Sequence, residues 1–269
     1  MTDSTSSRGL ARLAIAMILL AGAGDLRAQG FAAVAAPPRF ELSAAPGARL
    51  RQVLEITNAG VLPAKYRIRT ADWTLAPDAS VVFYDALQPG SCRPWVSIER
   101  NELTLSGGAR VRFRFEVAPP ADAPAGECRF ALMIEGDEPA VAATELFRIP
   151  VRGRLGVIVY VAVGEVAPKL EIVKAGVETV DGRRTPTVWV RNTGNAHGRL
   201  AGFLTGVDAR GRDLEFSPSG FPVLPGETRA LAIAAQSGPN EPTEPALPVT
   251  VRGTIEWAGG RLPFEHRFE

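Results

Sequence analysis

The sequence predicts an all-β protein made of two immunoglobulin-like β-sandwich domains in tandem. Segments with strand character recur at short intervals along the chain, and turn-forming residues separate them. Few segments have the 3.6-residue period of a helix. The 27 glycines and 22 prolines suit a chain with many turns. Together, these observations are typical of a sandwich architecture.

The first predicted domain covers residues 29–164. Its clearest strand is RVRFRFEV at 110–117, where Val111, Phe113, Phe115 and Val117 alternate with charged residues. This period of two indicates a strand with one buried face. The apolar run LGVIVYVAV at 155–163 indicates a buried strand. The predicted strands are 39–43, 50–58, 64–75, 81–84, 95–105, 109–118, 128–135, 145–152 and 155–163.

The second predicted domain covers residues 165–269 and follows a hinge at 164–168. Turn signals such as Asn192-Thr-Gly194, Pro225-Gly226 and Gly259-Gly260 separate its strand-like segments. The pattern indicates a second, smaller sandwich. Its predicted strands are 169–173, 187–192, 199–208, 213–216, 228–235, 249–257 and 261–268.

Residues 1–28 are predicted to be a secretory signal peptide that is cleaved near Ala28. Arg8 and Arg12 precede the apolar run LAIAMILLAGAG at 13–24. This run is shorter than the roughly 20 residues that a membrane-spanning helix needs. We therefore expect an exported, periplasmic protein with no membrane span in its mature chain.

The charge balance argues against nucleic-acid binding. The chain has 30 basic and 29 acidic residues, and removal of residues 1–28 leaves 27 of each. A nucleic-acid-binding protein would carry a basic excess.

The sequence contains no arrangement of residues that indicates catalysis, a metal site or a cofactor. The two histidines, His197 and His266, are far apart and are predicted to face solvent or to pack on strands. Asp72 and Trp73 are predicted to cap a turn and to lie in the core, respectively. We therefore expect a protein that is not an enzyme.

The two cysteines, Cys92 and Cys128, are predicted to form a disulfide. They are the only cysteines in the chain, and an exported protein meets an oxidising environment. A bridge between them would link two segments of the first domain.

A family resemblance emerges from the order of these segments. PRFEL at 38–42, LEITNAG at 54–60, ADW at 71–73, VAPP at 117–120 and CRFALMI at 128–134 occur in that order. The sequence resembles the periplasmic pilus-assembly chaperones of the chaperone–usher class, in a divergent branch. The resemblance covers residues 31–165 well and the second domain only in general architecture. It implies pilus or other surface-protein subunits as partners, and an outer-membrane usher as a further partner.

Chaperones of this class lend an edge strand to a subunit that lacks one, so the resemblance implies a donor strand here. FRIPVR at 147–152 fits best, because Phe147, Ile149 and Val151 share one face by the period of two. Pro150 suits an edge strand, since it has no N–H to donate. The same segment also fits an ordinary sandwich strand with one buried face.

The resemblance also implies two basic residues that bind the terminal carboxylate of the subunit. Arg39 matches the first of them. The second is a lysine in the family, but the corresponding position here is Gly156. Arg154 is the nearest basic residue and has the same strand parity, so it is the substitute candidate. A charged pair would bind a carboxylate through charge-assisted hydrogen bonds.

Two other functions fit the same fold class. One is a secreted, two-domain immunoglobulin-like surface or adhesion protein without chaperone activity. The other is a carbohydrate-active or carbohydrate-binding accessory module, which would need aromatic surfaces on which sugars can stack. The sequence has only four Trp and three Tyr, and Trp73, Trp95 and Trp189 lie in patterns that bury them.

Overall fold

The computed structural model describes residues 31–136, 140–143, 148–151, 153–180, 182–236 and 244–269. The predicted signal peptide lies outside these residues. Apart from one 3₁₀ turn at Arg93–Trp95, the described secondary structure consists of strands, which confirms the all-β prediction. The strands are β1 (Ala33–Ala36), β2 (Arg39–Ala44), β3 (Leu50–Asn58), β4 (Ala64–Leu75), β5 (Val81–Tyr84), β6 (Val96–Ile98), β7 (Glu102–Leu105), β8 (Arg110–Val117), β9 (Gly126–Gly136), β10 (Ala140–Ala143), β11 (Arg148–Val151), β12 (Arg154–Val163), β13 (Leu170–Val180), β14 (Arg183–Asn192), β15 (Leu204–Val207), β16 (Asp213–Pro218), β17 (Thr228–Ala235), β18 (Val249–Trp257) and β19 (Gly260–Phe268).

The first domain is a sandwich of two sheets. One sheet has the order β1-β3-β8-β6, and the other has the order β2-β12-β9-β4, with β5 and β7 also paired to β4. The opening segment contributes to both sheets, because β1 runs antiparallel to β3 and β2 runs parallel to β12. The switch falls at Pro37 and Pro38, which have no N–H for a ladder hydrogen bond.

The hydrophobic core lies between these two sheets. Phe113, Phe115 and Val117 of β8 are buried, as the alternating pattern predicts, and they pack against residues such as Leu54 and Phe130. Full burial of each such side chain contributes about 1.5–3 kcal/mol to stability. The predicted buried strand at 155–163 is also confirmed, because β12 pairs with β2 on one edge and with β9 on the other.

The predicted disulfide is present between Cys92 and Cys128, whose Cα atoms are 5.6 Å apart. Cys128 belongs to β9, and Cys92 immediately precedes the 3₁₀ turn. The bridge ties this turn to the central sheet across a sequence separation of 36. Closure of a loop of this length stabilises a fold by about 3–4 kcal/mol in the chain-entropy model.

The segment predicted as one strand at 95–105 is divided in the structure. Its first part, β6, pairs with β8, whereas its second part, β7, pairs with β4 of the opposite sheet. The chain therefore crosses between the sheets around residues 99–101. A run of apolar residues cannot reveal such a crossing, because both parts keep one face in the same core.

The second domain has one continuous strand order, β13-β14-β17-β16-β15-β18-β19. β17 joins its two halves, since the first residues of β17 pair with β14 and the last ones pair with β16. A separate core containing Phe216, Leu231 and Phe268 fills this domain. The strand predicted at 199–208 is confined to β15, because Gly202 adopts a φ of 130° that an extended strand does not use.

Candidate functional site

The predicted donor segment forms a small hairpin at one end of the first domain. β10 and β11 pair with each other in an antiparallel ladder that places Ala142 opposite Ile149 and Ala140 opposite Val151. Phe147 lies outside the described residues. The hairpin follows the β9–β12 ladder, whose last backbone hydrogen bond runs from the Gly136 N–H to the Gly153 carbonyl at 3.1 Å. The hairpin therefore extends the two central strands of the sheet.

The outer edge of β11 has no strand partner within the described residues. β12 continues from β11 into the main sheet, where β2 pairs with the same edge. This pairing begins at Arg39 opposite Ile158, so β2 does not reach β11. β1 precedes β2 in the chain and pairs with β3 in the other sheet. Among the strands that the structure describes, only β10 pairs with β11. The edge thus presents backbone N–H and C=O groups to which another strand can bind.

Arg39 opens β2 at the cleft between the two domains. Its side chain is half exposed, and its Nε lies 2.9 Å from Oε1 of Glu41. The two residues are two positions apart on one strand, so they share a face of the sheet. Arg39 therefore has the exposed cationic group that the prediction requires, with an internal carboxylate beside it.

Arg154 lies elsewhere on the sheet. It is the first residue of β12, opposite Glu135, and its guanidinium carbon is 5.8 Å from the ring centre of Phe83. Arg39 stands opposite Ile158, which is four residues further along β12 and therefore about 13 Å away. The structure does not bring Arg154 and Arg39 together.

Gly156 occupies the position where the family has its second basic residue. A Cβ added to Gly156 would overlap the ring of Phe83, which reaches over β12 from β5, and would press on Sδ of Met133. This ring occupies the space that a longer side chain would need. A side chain at position 156 would therefore require the Phe83 ring to move.

The second domain contributes two basic side chains that the sequence analysis did not identify. Arg199 Nη2 and His197 Nε2 each lie 3.9 Å from Oε1 of Glu41, the oxygen that Arg39 also contacts. Arg199 donates from Nη1 to the Gly220 carbonyl at 2.9 Å, and its buried Nε has no hydrogen-bond partner. Three basic side chains from two domains thus converge on one carboxylate oxygen.

His197 does not face solvent but packs on a strand of the first domain. Its ring stacks on Tyr160 of β12 at a centroid distance of 4.0 Å, and its Nδ1 lies 2.7 Å from Oε2 of Glu127. Burial raises the pKa of Tyr160 to about 12, with the charge of Arg199 opposing this rise and that of Glu127 adding to it. The phenol is therefore neutral at physiological pH.

Two further contacts hold the domains together. Leu224 of the second domain packs into a cluster on the outer face of the first-domain sheet that includes Trp73 and Tyr160. Arg229 is buried and donates to the carbonyls of Leu75 and Ala76 at the end of β4, at 3.3 and 2.8 Å.

The remaining sequence predictions concern smaller features. Asp72 is buried and accepts hydrogen bonds from the Gln88 N–H and the Ser91 hydroxyl, which confirms its predicted turn-capping role. The buried indole of Trp73 donates to the Phe130 carbonyl at 3.0 Å.

Within the described residues, no three or more His, Cys, Asp or Glu side chains form a group that could hold a metal ion. The same part of the chain contains no helix long and apolar enough to cross a bilayer.

The chain is similar to several solved structures. One is the class 5 fimbriae chaperone CfaA, with 10% sequence identity and a TM-score of 0.48 over 88% of this chain and 99% of that chain. Another is the Pseudomonas aeruginosa CupB2 chaperone, with 14% identity and a TM-score of 0.46 over 88% and 100%. A third is the Salmonella enterica SafB chaperone in complex with the SafA pilin, with 15% identity and a TM-score of 0.46 over 89% and 97%.

Each of these three structures contains a chaperone. No protein-family profile matches the sequence. No curated protein matches it either.

Proposed function

We propose that this protein is a periplasmic, non-catalytic chaperone that binds pilus or other surface-structure subunits. In this proposal, residues 1–28 are removed on export, the domain of residues 29–164 supplies the donor strand, and that of residues 165–269 completes the cleft. The observation that carries the proposal is the outer edge of β11, which has no partner among the strands that the structure describes and extends from the central strands of the first domain. An outer-membrane usher is a further partner in this proposal.

Strand addition explains why such an edge would be useful. An incoming strand gains affinity from main-chain hydrogen bonds and gains register from side chains at alternate positions. Ile149 and Val151 occupy alternate positions of β11, and Phe147 continues the same series. Apolar residues at these positions would fill the groove of a subunit that lacks one strand. Removal of this apolar surface from water would favour binding.

Arg39 would bind the terminal carboxylate of the subunit. Its guanidinium is half exposed at the domain cleft, and its ion-pair partner among the described residues, Glu41, is itself half exposed. A carboxylate that binds a guanidinium makes charge-assisted hydrogen bonds worth about 1.5–3 kcal/mol. This anchor would set how far the subunit strand extends along β11.

The alternative function is that of a secreted surface or adhesion protein with the same two domains. That function would require no free strand edge, because a sandwich that acts as a spacer or adhesin gains nothing from an aggregation-prone edge. The unpaired edge of β11 therefore favours the chaperone.

The proposal is tested by co-expressing the chain with a candidate pilus subunit from the same genome and measuring co-purification from the periplasm. Ile149→Asp should abolish co-purification, because it places a charge in an apolar groove. Arg39→Ala should weaken subunit binding about tenfold or more. Both variants should unfold at the wild-type temperature, since both positions are expected to be dispensable for folding.

Two matched variants serve as controls. Val34→Asp adds the same charge to β1, an edge strand of the other sheet on which Val34 is exposed. Arg110→Ala removes an exposed, ion-paired arginine from the outer face of that sheet. Both controls should retain the subunit. If Ile149→Asp and Arg39→Ala stay folded and also retain it, the chaperone mechanism is wrong and the surface-protein function is favoured.

A further inference from the structure

We infer that the second cation of the carboxylate site is Arg199 of the second domain, and that Glu41 occupies the site in the absence of a subunit. This inference rests on the proposed function. Arg39 and Arg154 lie about 13 Å apart along the sheet. Arg39 and Arg199, by contrast, both lie near the same oxygen, Oε1 of Glu41.

The geometry around Glu41 is that of an occupied carboxylate site. Oε1 of Glu41 lies 2.9 Å from Nε of Arg39 and 3.9 Å from Nη2 of Arg199. The side chains of Arg39 and Glu41 are about half exposed, and that of Arg199 is 28% exposed, so solvent reaches the group. A terminal carboxylate that enters the cleft would find both guanidinium groups directed at one point.

Arg199 retains unused hydrogen-bonding capacity in this arrangement. Its Nε is buried and has no partner, and its only hydrogen bond to the backbone within the described residues runs from Nη1 to the Gly220 carbonyl. Its contact with Glu41, at 3.9 Å, is an ion pair rather than a hydrogen bond. A carboxylate placed closer to Nη2 than that of Glu41 would accept a hydrogen bond from it.

Neither position considered on β12 places a cation beside Arg39. Phe83 covers Gly156, and Arg154 lies beside the same ring on the side away from Arg39. A cation from the second domain is therefore the group available near Arg39. Subunit binding would then depend on the relative placement of the two domains, because each domain supplies one arginine.

Glu41 would act as an internal competitor. Two carboxylates at one site repel each other, so the carboxylate of the subunit must displace that of Glu41 from the two arginines. Displacement is possible because Glu41 lies on an exposed strand face and makes no hydrogen bond to the backbone among those found in the described residues. The free cleft thus keeps its cations paired until a subunit arrives.

The test uses two synthetic peptides that carry the last residues of the co-expressed subunit, one with a free carboxylate and one with a terminal amide. Fluorescence anisotropy gives the affinity of each peptide for the purified mature chain and its variants. The wild type should bind the carboxylate peptide at least about tenfold more tightly than the amide. Arg199→Gln and Arg39→Gln should each remove most of this preference, whereas Arg154→Gln should leave it intact.

Glu41→Gln provides an independent arm of the test. It should tighten binding of the carboxylate peptide about fivefold or more without changing that of the amide, because it removes a competing charge. Arg199→Lys keeps the charge and should restore part of the preference that Arg199→Gln loses. Thermal unfolding of each variant shows whether it is folded. If Arg199→Gln does not fold, Arg199→Lys still tests the role of Arg199.

The outcomes separate this inference from the proposed function. If Arg39→Gln removes the preference while Arg199→Gln and Arg199→Lys both keep it, the assignment of Arg199 is wrong although the anchor stands. A loss of preference in Arg154→Gln would likewise overturn it. If Glu41→Gln changes nothing, Glu41 is not a competitor. If the wild type itself does not discriminate between the two peptides, the carboxylate anchor of the proposed function fails.

Discussion

Glu127 connects the two domains through both its side chain and its backbone. Its Oε1 accepts a hydrogen bond from the His197 N–H at 3.1 Å, and its Oε2 lies 2.7 Å from His197 Nδ1. Its own N–H donates to the Asn195 carbonyl at 2.8 Å. The carboxylate is almost fully buried, so loss of these contacts would leave the polar groups of His197 without a hydrogen-bond partner, which is unfavourable for folding.

We expect Glu127→Ala to destabilise the protein by about 2–3 kcal/mol, because the buried N–H and Nδ1 of His197 would lose their partner. Urea denaturation, followed by tryptophan fluorescence, measures this change. Glu102→Ala is the matched control, since Glu102 forms an exposed pair with Lys65 and should change stability by no more than about 0.5 kcal/mol. Equal effects of the two substitutions would show that the Glu127 contact does not stabilise the folded chain.

Asp208 gives the second domain a pH-dependent contribution to stability. Its side chain is buried at a turn, where it accepts hydrogen bonds from the N–H groups of Arg210, Arg212 and Ala246 and from Nε of Arg212. Burial acts to raise the pKa of this carboxyl, but the hydrogen bonds from Arg212, Ala246 and Arg210 outweigh it and hold the pKa well below its usual value.

The lowered pKa fixes the sign of the pH dependence. The ionised carboxylate stabilises the fold at pH values above the unfolded pKa of about 3.9, and this stability is lost as the pH falls toward the lower folded value. The difference in melting temperature between wild type and Asp208→Asn should therefore be largest near neutral pH and should shrink between pH 4 and pH 2. A difference that stays constant over this range would contradict the assignment.

At the level of elements, β12 determines where a carboxylate site can lie. Phe83 of β5 covers Gly156, and Tyr160 carries the stacked ring of His197 further along the same strand. One end of β12 is therefore closed by an aromatic ring, and the other faces the second domain. This packing is consistent with the proposed cation site at the cleft, away from Gly156.

Gly156→Ala tests this packing. The added methyl group would overlap the Phe83 ring, so we expect a loss of about 1–3 kcal/mol of unfolding free energy. In the background of Phe83→Ala the same substitution should cost less, because the obstructing ring is absent. A double-mutant cycle by urea denaturation measures the coupling. A cost that does not change between the two backgrounds would mean that Phe83 does not restrict this position.

The sequence was sufficient to predict those elements whose packing shows in local patterns. The alternation at 110–117 and the apolar run at 155–163 correspond to β8 and β12. It was not sufficient for the hairpin strand β10, because the sequence AVAA lacks the bulky side chains that mark a strand. The division of 95–105 also escaped prediction, since the partner strands lie in different sheets.

At the scale of the whole molecule, the cleft could not be predicted from sequence patterns. Glu41 and Arg199 belong to different domains and are far apart in the chain, so no spacing rule connects them. The disulfide was predictable because an exported chain with two cysteines leaves one pairing. Arg39 was identified through the family resemblance, whereas Arg199 became visible only once the domains were placed together.

The two domains have separate cores, yet they share the cluster around Leu224 and the buried contacts of Glu127 and Arg229. In the proposed function, the first domain supplies the β11 edge and the second completes the cleft. The central claim is therefore that β11 binds the strand of a subunit through its free edge.

Hydrogen exchange measured by mass spectrometry tests this claim most directly. Amide exchange in the segment containing Arg148–Val151 is compared between the free mature chain and its complex with the co-expressed subunit. Strand addition predicts that exchange in this segment slows at least about tenfold in the complex, whereas β18 and β19 of the second domain keep their rates. A complex in which this segment exchanges at the free rate, while another surface becomes protected, would contradict strand addition at β11.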